Sequence, residues 1–292
     1  MELETLNLEC EFITPAFLGN ASQQAELRTA PFKGMLRWWY RQIYPSKNDD
    51  EIFGSVEYGA SKIKMVVFDD NEKCRIKNEN PNEAGKKINV TTTNNGKMPP
   101  KTFPINILDY LAYGKCNYDK TQKRIVYENS HITPSSKFNL KIQYPKEYEE
   151  EILQTMSAFF KYGCIGSKNR NGFGSVSVKE NNRLPKNIHI PNSKLFVTEA
   201  QYAKWEDALS EIGIIYKNAR CSLDKKHVYT NRLLLAKPII QARDNNRLPK
   251  SLCLSVKKNE HGKFYGQILS LSNKDVYIKI HAELKKYLKE VQ

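Results

Sequence analysis

The order in which the hydrophobic period changes along the chain restricts its fold more than any other feature. Residues 5–13 alternate, with Leu6, Leu8, Cys10 and Phe12 on one side and Asn7, Glu9 and Glu11 on the other, the pattern of a half-buried strand. Phe32, Met35, Leu36, Trp39 and Ile43 then follow helical spacing. Thr29, with Pro31 in the first turn, starts that helix over 31–44. Residues 61–68 return to a strand pattern. After a long interruption, 136–144 alternate through Phe138, Leu140 and Ile142. An amphipathic helix follows over 146–162, with Tyr148, Ile152, Met156, Phe159 and Phe160 on its core face. Glu147, Glu149, Glu150 and Glu151 suit its N-terminus, Gly163 ends it, and 174–179 read as a strand. The order β-α-β, insertion, β-α-β predicts a ferredoxin-like sheet with both helices on one face.

The interruption, 71–134, is rich in Asn and Lys and has no clear period. Asn94-Asn95-Gly96 and Pro99-Pro100 mark turns, so it holds at most short strands and a short helix near 105–113. The second half reads as a weaker copy: a strand near 194–198, a helix over 199–216, a hairpin of 251–257 and 263–270, and a helix over 275–290. That is β-α-β-β-α, without a final strand. The expected fold class is therefore α+β: two tandem ferredoxin-like domains, 1–182 and 183–292, the second degenerate, with the insertion 71–134 in the first. The hexapeptide Asn-Asn-Arg-Leu-Pro-Lys occurs at 181–186 and again at 245–250, and reads as a basic turn used twice.

Charge limits the partners. The 292 residues carry a net charge of +14, and residues 181–292 alone contribute +11 of it, from 21 Lys and Arg against 10 Asp and Glu. An excess of this kind fits a polyanion, because each neutralised phosphate releases counterions. No apolar run is long enough to span a membrane. The acidic start Met1-Glu2-Leu3-Glu4 lacks the basic and apolar regions of an export signal, which points to the cytoplasm. The six cysteines form no CxxC pair and no zinc-finger spacing with His, so reduced thiols are expected and no metal, nucleotide or flavin site is read.

Two segments carry chemistry. Gly163 to Gly174 places four glycines with Ser167, Lys168 and Arg170 between a helix and a strand. Glycines such as Gly166 and Gly172 let backbone N–H groups approach a phosphate, and the basic side chains add charge. The loop is not a P-loop, which needs GxxxxGK[ST] before a helix, nor a Rossmann turn, which leaves a strand for a helix. The second segment is Pro31 to Arg41, where Lys33, Arg37 and Arg41 share a helix with Trp38 and Trp39. Cations there can hold phosphates while an exposed ring stacks on a base. Trp39 lies on the apolar stripe and belongs to the core; Trp38 can serve either purpose.

These segments, with their neighbours, resemble a known family. Phe12-Ile13-Thr14-Pro15-Ala16-Phe17-Leu18-Gly19, then Ala25-Glu26-Leu27-Arg28, then Lys33-Gly34-Met35-Leu36-Arg37-Trp38-Trp39, then Ile52-Phe53-Gly54-Ser55 and the glycine-rich loop are similar to the RAMP superfamily of CRISPR effector proteins. Within it the resemblance is nearest to the first-numbered subunit family of the Cmr (type III-B) complex. The second half matches more loosely, through Arg247-Leu248-Pro249-Lys250-Ser251 leading into a strand. The resemblance implies an RNA-binding subunit of an antiviral ribonucleoprotein. It would sit at the end of a filament-like effector, contact guide RNA toward its 3′ end and aid target RNA capture. Its protein partners would be the backbone RAMP subunit and the small helical subunit. Arg28, Lys33, Arg37, Trp38, Arg41, Gly166, Ser167, Lys168, Arg170 and Gly172 are the expected RNA contacts, and the insertion would reach a neighbouring subunit or the guide–target duplex.

Catalysis is not expected. Related subunits that cut target RNA carry an Asp in the loop after the first strand, whereas loop 14–30 here has Glu26 as its sole carboxylate. The pairs Asp49-Asp50 and Asp69-Asp70 read as caps or turns. The rival is a metal-independent endoribonuclease, which needs a general base, usually His. His131 and His227 are its candidates, and neither has a partner at readable spacing. A purely structural assembly subunit is the third alternative.

Overall fold

The computed structural model describes residues 2–69, 73–91, 101–225, 228–236, 248 and 250–291. The first half begins with β1 (Leu3–Phe12), α1 (Thr29–Ile43), the short α2 (Asp50–Phe53) and β2 (Lys64–Phe68). The insertion follows as β3 (Ile76–Lys77), the β4–β5 ribbon (Lys87–Thr91, Thr102–Asn106), α3 (Ile107–Leu111), the β6–β7 ribbon (Cys116–Asp119, Arg124–Tyr127) and β8 (His131–Ile132). Then come β9 (Lys137–Pro145), α4 (Glu149–Tyr162) and β10 (Val176–Val178). The Asn94-Gly96 turn and Pro99-Pro100 lie outside the described residues.

Four strands form the first sheet in the order β10-β1-β9-β2, every pair antiparallel. Its register sets Leu6 opposite Ile142, Leu8 opposite Leu140 and Cys10 opposite Phe138. One face of the sheet thus presents a continuous apolar layer, and α1 and α4 cover it with Phe32, Leu36, Trp39, Ile152, Met156 and Phe159. The opposite face carries Asn7, Glu9, Lys141 and Gln143 and no aromatic platform on β1 or β9.

The second half contains β11 (Lys194–Val197), α5 (Trp205–Ser222), α6 (Thr230–Leu235), β12 (Leu252–Lys258), β13 (Phe264–Ser270), α7 (Asp275–Leu284) and β14 (Lys289–Val291). Its sheet runs β12-β13-β11-β14, the same relative order as the first, again antiparallel throughout. A closing strand is therefore present, against the expectation from sequence. α7 stops at Leu284, and Lys289-Glu290-Val291 is too short and too charged to show a period; it is held by pairing with Leu195–Val197. Likewise α5 starts six residues later than the expected 199. Residues before it form a bridge of Tyr202 to Phe264 instead.

The insertion supplies part of the second core. Ile107, Leu108, Leu111 and Tyr127 pack with Leu209, Ile212 and Tyr216 of α5. Gly213 permits this approach: a Cβ there would lie 2.8 Å from Leu111 Cδ1. The two halves also share β12. Leu252, Leu254 and Val256 face the second core, while Cys253 joins the first. Lys257, on the same side as Cys253, reaches across to the end of α4, where its Nζ donates to Phe160 O at 2.7 Å. The linker between halves is fixed by Arg183, which donates to Thr5 O (2.8 Å) and Tyr144 Oη (2.9 Å) and pairs with Glu149 (2.6 Å). Of the second hexapeptide only Leu248 and Lys250 are among the described residues. Among the described residues no helix is long and apolar enough to cross a membrane.

Candidate nucleic-acid interface

Glycines set the path of loop 163–174. Gly166, Gly172 and Gly174 have φ of +89°, +91° and +74°, a region that favours glycine. A Cβ on Gly174 would overlap the Ile165 carbonyl oxygen, and one on Gly166 would come within 2.7 Å of Phe17 O. Much of the loop's backbone is paired internally or with its surroundings. Ser167 N donates to Phe17 O (3.0 Å), Gly174 N to Pro15 O (2.8 Å) and Leu254 N to Arg170 O (3.2 Å). Asn171 Nδ2 donates to Leu111 O at 2.6 Å. The loop thereby joins the segment after β1, the insertion and β12, and Gly172 lets Leu209 of α5 pack against it.

What the loop presents to a ligand is side chains. The Arg170 guanidinium lies 5.2 Å from the centre of the Trp38 ring, with NH1 donating to Lys250 O at 2.7 Å. Asn169 Nδ2 reaches Met35 Sδ at 3.3 Å. Between these residues and Gly34 of α1 runs a cleft of about 440 Å³, with Trp39, Gly163, Cys164 and Cys253 deeper in. Trp39 is fully buried, and its Nε1 has no hydrogen-bond partner among the described residues. The cleft therefore combines a half-exposed indole, a guanidinium stacked on it and an amide.

The remaining expected contacts go elsewhere. Arg37 forms hydrogen-bonded ion pairs with Asp49 and Asp50 and donates to Gly54 O at 3.0 Å. Arg41 holds Asp49 through two bonds of 2.9 Å. The Arg41 hydrogen bonds, with those of Arg37, keep the Asp49 carboxyl below its ordinary range. These two arginines thus pin α2 and the Ile52–Ser55 turn to α1. Lys33, one turn before Arg37, has no side-chain partner among the described residues; partial burial and then Arg37 lower its pKa. Arg28 donates to Gly19 O at 2.6 Å and is exposed. Ser167 lines a small hollow with Asn20, Gln23 and Lys115. Lys168, in a left-handed conformation (φ +62°), points toward the insertion, where burial and then Lys115 lower its pKa.

Reading the sequence missed Asn169 and Lys115 as neighbours of this surface, and missed two buried lysines beside it. Burial pushes Lys250 down to about 7 and Lys257 down to about 8. Position was the misleading signal, since Lys257 falls on the polar side of an alternating strand. His131 is buried beside Phe17, and burial holds it down to about 4, so it is neutral and shielded. His227 and Asp70 lie outside the described residues. Asp69 accepts from Lys73 N and Cys74 N at 2.9 and 2.6 Å.

No curated protein matches this chain. Among solved structures it is similar to "Crystal structure of Cmr1 from Pyrococcus furiosus (apo form)", with a TM-score of 0.53 and 15% identity, covering 100% of this chain and 98% of that one. It is equally similar to a chain of "Cryo-EM structure of the Type III-B Cmr-beta bound to cognate target RNA and AMPPnP, state 2, in the presence of ssDNA", with a TM-score of 0.53 and 15% identity, covering 97% and 98%. The family model of the RAMP superfamily matches residues 9–177, a span that holds α1, the insertion and the glycine-rich loop. The chain belongs to the RAMP superfamily.

Proposed function

We propose that this chain is a non-catalytic RNA-binding subunit of a cytoplasmic type III-B CRISPR effector ribonucleoprotein. It is built as two tandem ferredoxin-like units, and the shared strand order of the two sheets, the second complete with β14, supports that reading. The observation that carries the function is the pairing of Trp38 with Arg170 across the cleft between α1 and the glycine-rich loop. A guanidinium offers charge-assisted bonds to phosphate, and an indole face offers stacking to any base. Both are sequence-independent, as guide recognition requires. The net charge of +14 and the likeness to a chain of a target-RNA-bound complex agree with it. In this reading the RNA is guide RNA toward its 3′ end together with target RNA. The neighbours are the backbone RAMP subunit and the small helical subunit, and the insertion extends over one of them or over the guide–target duplex.

Titration of the purified chain with single-stranded RNA and matched DNA at two salt concentrations tests this. RNA affinity is expected to fall steeply with salt, log K declining by about 0.7 per phosphate neutralised for each tenfold rise in salt. It should fall further in Lys168→Ala/Arg170→Ala, and the RNA should be recovered intact. Cleavage in the same tubes would instead favour an endoribonuclease. Binding that the double variant does not weaken, even with guide and neighbouring subunit added, would favour a purely structural assembly subunit.

A further inference from the structure

The insertion builds a second cleft that the Trp38–Arg170 surface does not include. α3 anchors the insertion by burying Ile107, Leu108 and Leu111 in the second core. The β4–β5 and β6–β7 ribbons therefore start from a fixed base, and among the described residues neither pairs with another strand. A two-stranded ribbon alone is marginally stable in water, so anchoring by α3 explains how two of them can flank an open space. That space is about 1280 Å³, larger than the α1 cleft.

Its lining is unusual for solvent-facing surface. Phe103, Tyr113 and Tyr118 border it while remaining 43%, 67% and 59% exposed. Large apolar groups left in water together mark a binding surface. Lys87, Lys123 and Arg124 stand on the same lining, exposed, and none of them makes an ion pair among the described residues. The acids there are differently placed. Glu79 pairs with Lys77 at 3.2 Å, and Asp109 is drawn inward, accepting from Tyr127 Oη at 2.9 Å; Glu83 alone among them stands exposed without such a bond. Arg124 Nε donates to the neutral Gln122 Oε1 at 2.6 Å, and rings open to solvent beside cations that no described carboxylate neutralises match a flexible polyanion with flat apolar faces. A peptide helix would ask instead for a closed apolar groove.

We infer that the cleft between the two ribbons of the insertion binds unpaired bases of single-stranded RNA, stacked on Phe103, Tyr113 and Tyr118, with Lys87, Lys123 and Arg124 on the flanking phosphates. The inference rests on the reading of the chain as an RNA-binding protein. It adds a site for unstacked bases, whereas a duplex keeps its bases hidden.

The full chain is titrated with a single-stranded RNA and an RNA duplex by fluorescence anisotropy, beside Phe103→Ala/Tyr113→Ala/Tyr118→Ala. The triple variant is expected to lose roughly 100-fold or more in single-strand affinity. Its salt slope should stay unchanged, its duplex affinity should stay unchanged, and its melting temperature should match wild type. Tyr113→Phe/Tyr118→Phe, which keeps the rings, should bind as wild type. Replacing Lys87, Lys123 and Arg124 by Ala should instead lower the salt slope by about 2. Photo-crosslinking of 4-thiouridine RNA should mark peptides holding Phe103, Tyr113 or Tyr118. Crosslinks confined to residues 31–41 and 163–174 would overturn this inference while leaving the α1 cleft standing, and crosslinks confined to the insertion would do the reverse. Undiminished single-strand binding by the triple variant, equal losses for duplex, no RNA binding by wild type at low salt, or a defect seen only in assembly with protein subunits would each overturn it too.

Discussion

Gly174→Ala is expected to destabilise the chain by about 3 kcal/mol or more, enough to remove much of the stability of an ordinary domain. Two effects add. A non-glycine residue at φ +74° carries strain of about 1–3 kcal/mol. The new methyl group would also overlap the Ile165 carbonyl oxygen, which is backbone and cannot rotate away. Relief requires opening the bond from Ile165 N to Gly174 O, and with it the turn that seats Phe173 in the second core. Gly59→Ala isolates the first effect: φ there is +74° as well, and nothing lies within 4 Å of the added carbon. Urea unfolding of both variants should show a loss of about 1 kcal/mol for Gly59→Ala and several-fold more for Gly174→Ala. Equal losses would mean that close packing does not explain this glycine.

Lys257→Met should be destabilising by about 3 kcal/mol, while Lys250→Met should be neutral or stabilising, although both lysines are buried. The Lys257 ammonium donates to Phe160 O (2.7 Å), Val176 O (3.3 Å) and Gly163 O (3.4 Å). Phe160 and Gly163 lie at the C-terminal end of α4, where carbonyls lack helical partners and the helix dipole favours a cation. Methionine matches the length but takes the donor from those acceptors and removes one of the links that hold the second sheet to the first half. Among the described residues Lys250 Nζ has no hydrogen-bond partner, and it lies 4.1 Å from the centre of the Tyr216 ring. Removing it removes an unsatisfied buried charge.

The same pair gives stability a pH dependence with a definite sign. Burial lowers both folded pKa values, to about 7 and about 8, below the ~10.4 of an unfolded lysine. Below pH 7 both states are protonated and the burial penalty is complete. Above those values the unfolded chain binds more protons than the folded one, so stability rises with pH toward ~10.4. Burial raises the thiols of Cys10, Cys74, Cys116, Cys164 and Cys253, which acts in the opposite direction above about pH 8.5. The lysine contribution is therefore read as a difference, and the urea midpoint of the wild type should gain on that of Lys250→Met between pH 7 and 9.5.

How far the chain could be read in advance follows from how local each determinant is. β1, β9, α1 and α4 were legible because one face of each meets a single core, so the period is clean: Leu6, Leu8 and Cys10, or Phe32, Leu36 and Trp39. The glycine-rich loop was legible by composition, but its glycines answer to Ile165 O across the loop's own turn and to Phe17 O and Leu209, which are distant in sequence. β12 was legible as a strand and misleading as to its surroundings. Alternation of Leu252, Leu254 and Val256 with Cys253, Ser255 and Lys257 looks half-exposed, and the fold buries both faces. The cations of α1 looked available for RNA because Asp49 and Asp50, which hold Arg37 and Arg41, follow an intervening turn. Trp38 and Arg170 lie on segments that were both singled out, but only the fold places the guanidinium over the ring.

Trp38 also permits the most direct measurement. Of the three tryptophans, Trp39 and Trp205 are buried and Trp38 alone is half-exposed, on the wall of the cleft. Titration of the full chain with single-stranded RNA at low salt, followed by tryptophan fluorescence and by anisotropy of labelled RNA together, reports on that wall and on total binding. RNA in the cleft predicts quenching that tracks the anisotropy curve, that vanishes in Trp38→Phe, and that weakens with salt. Anisotropy that rises while the wild-type fluorescence stays flat, or quenching that survives in Trp38→Phe, would show that RNA does not occupy the cleft between α1 and the glycine-rich loop.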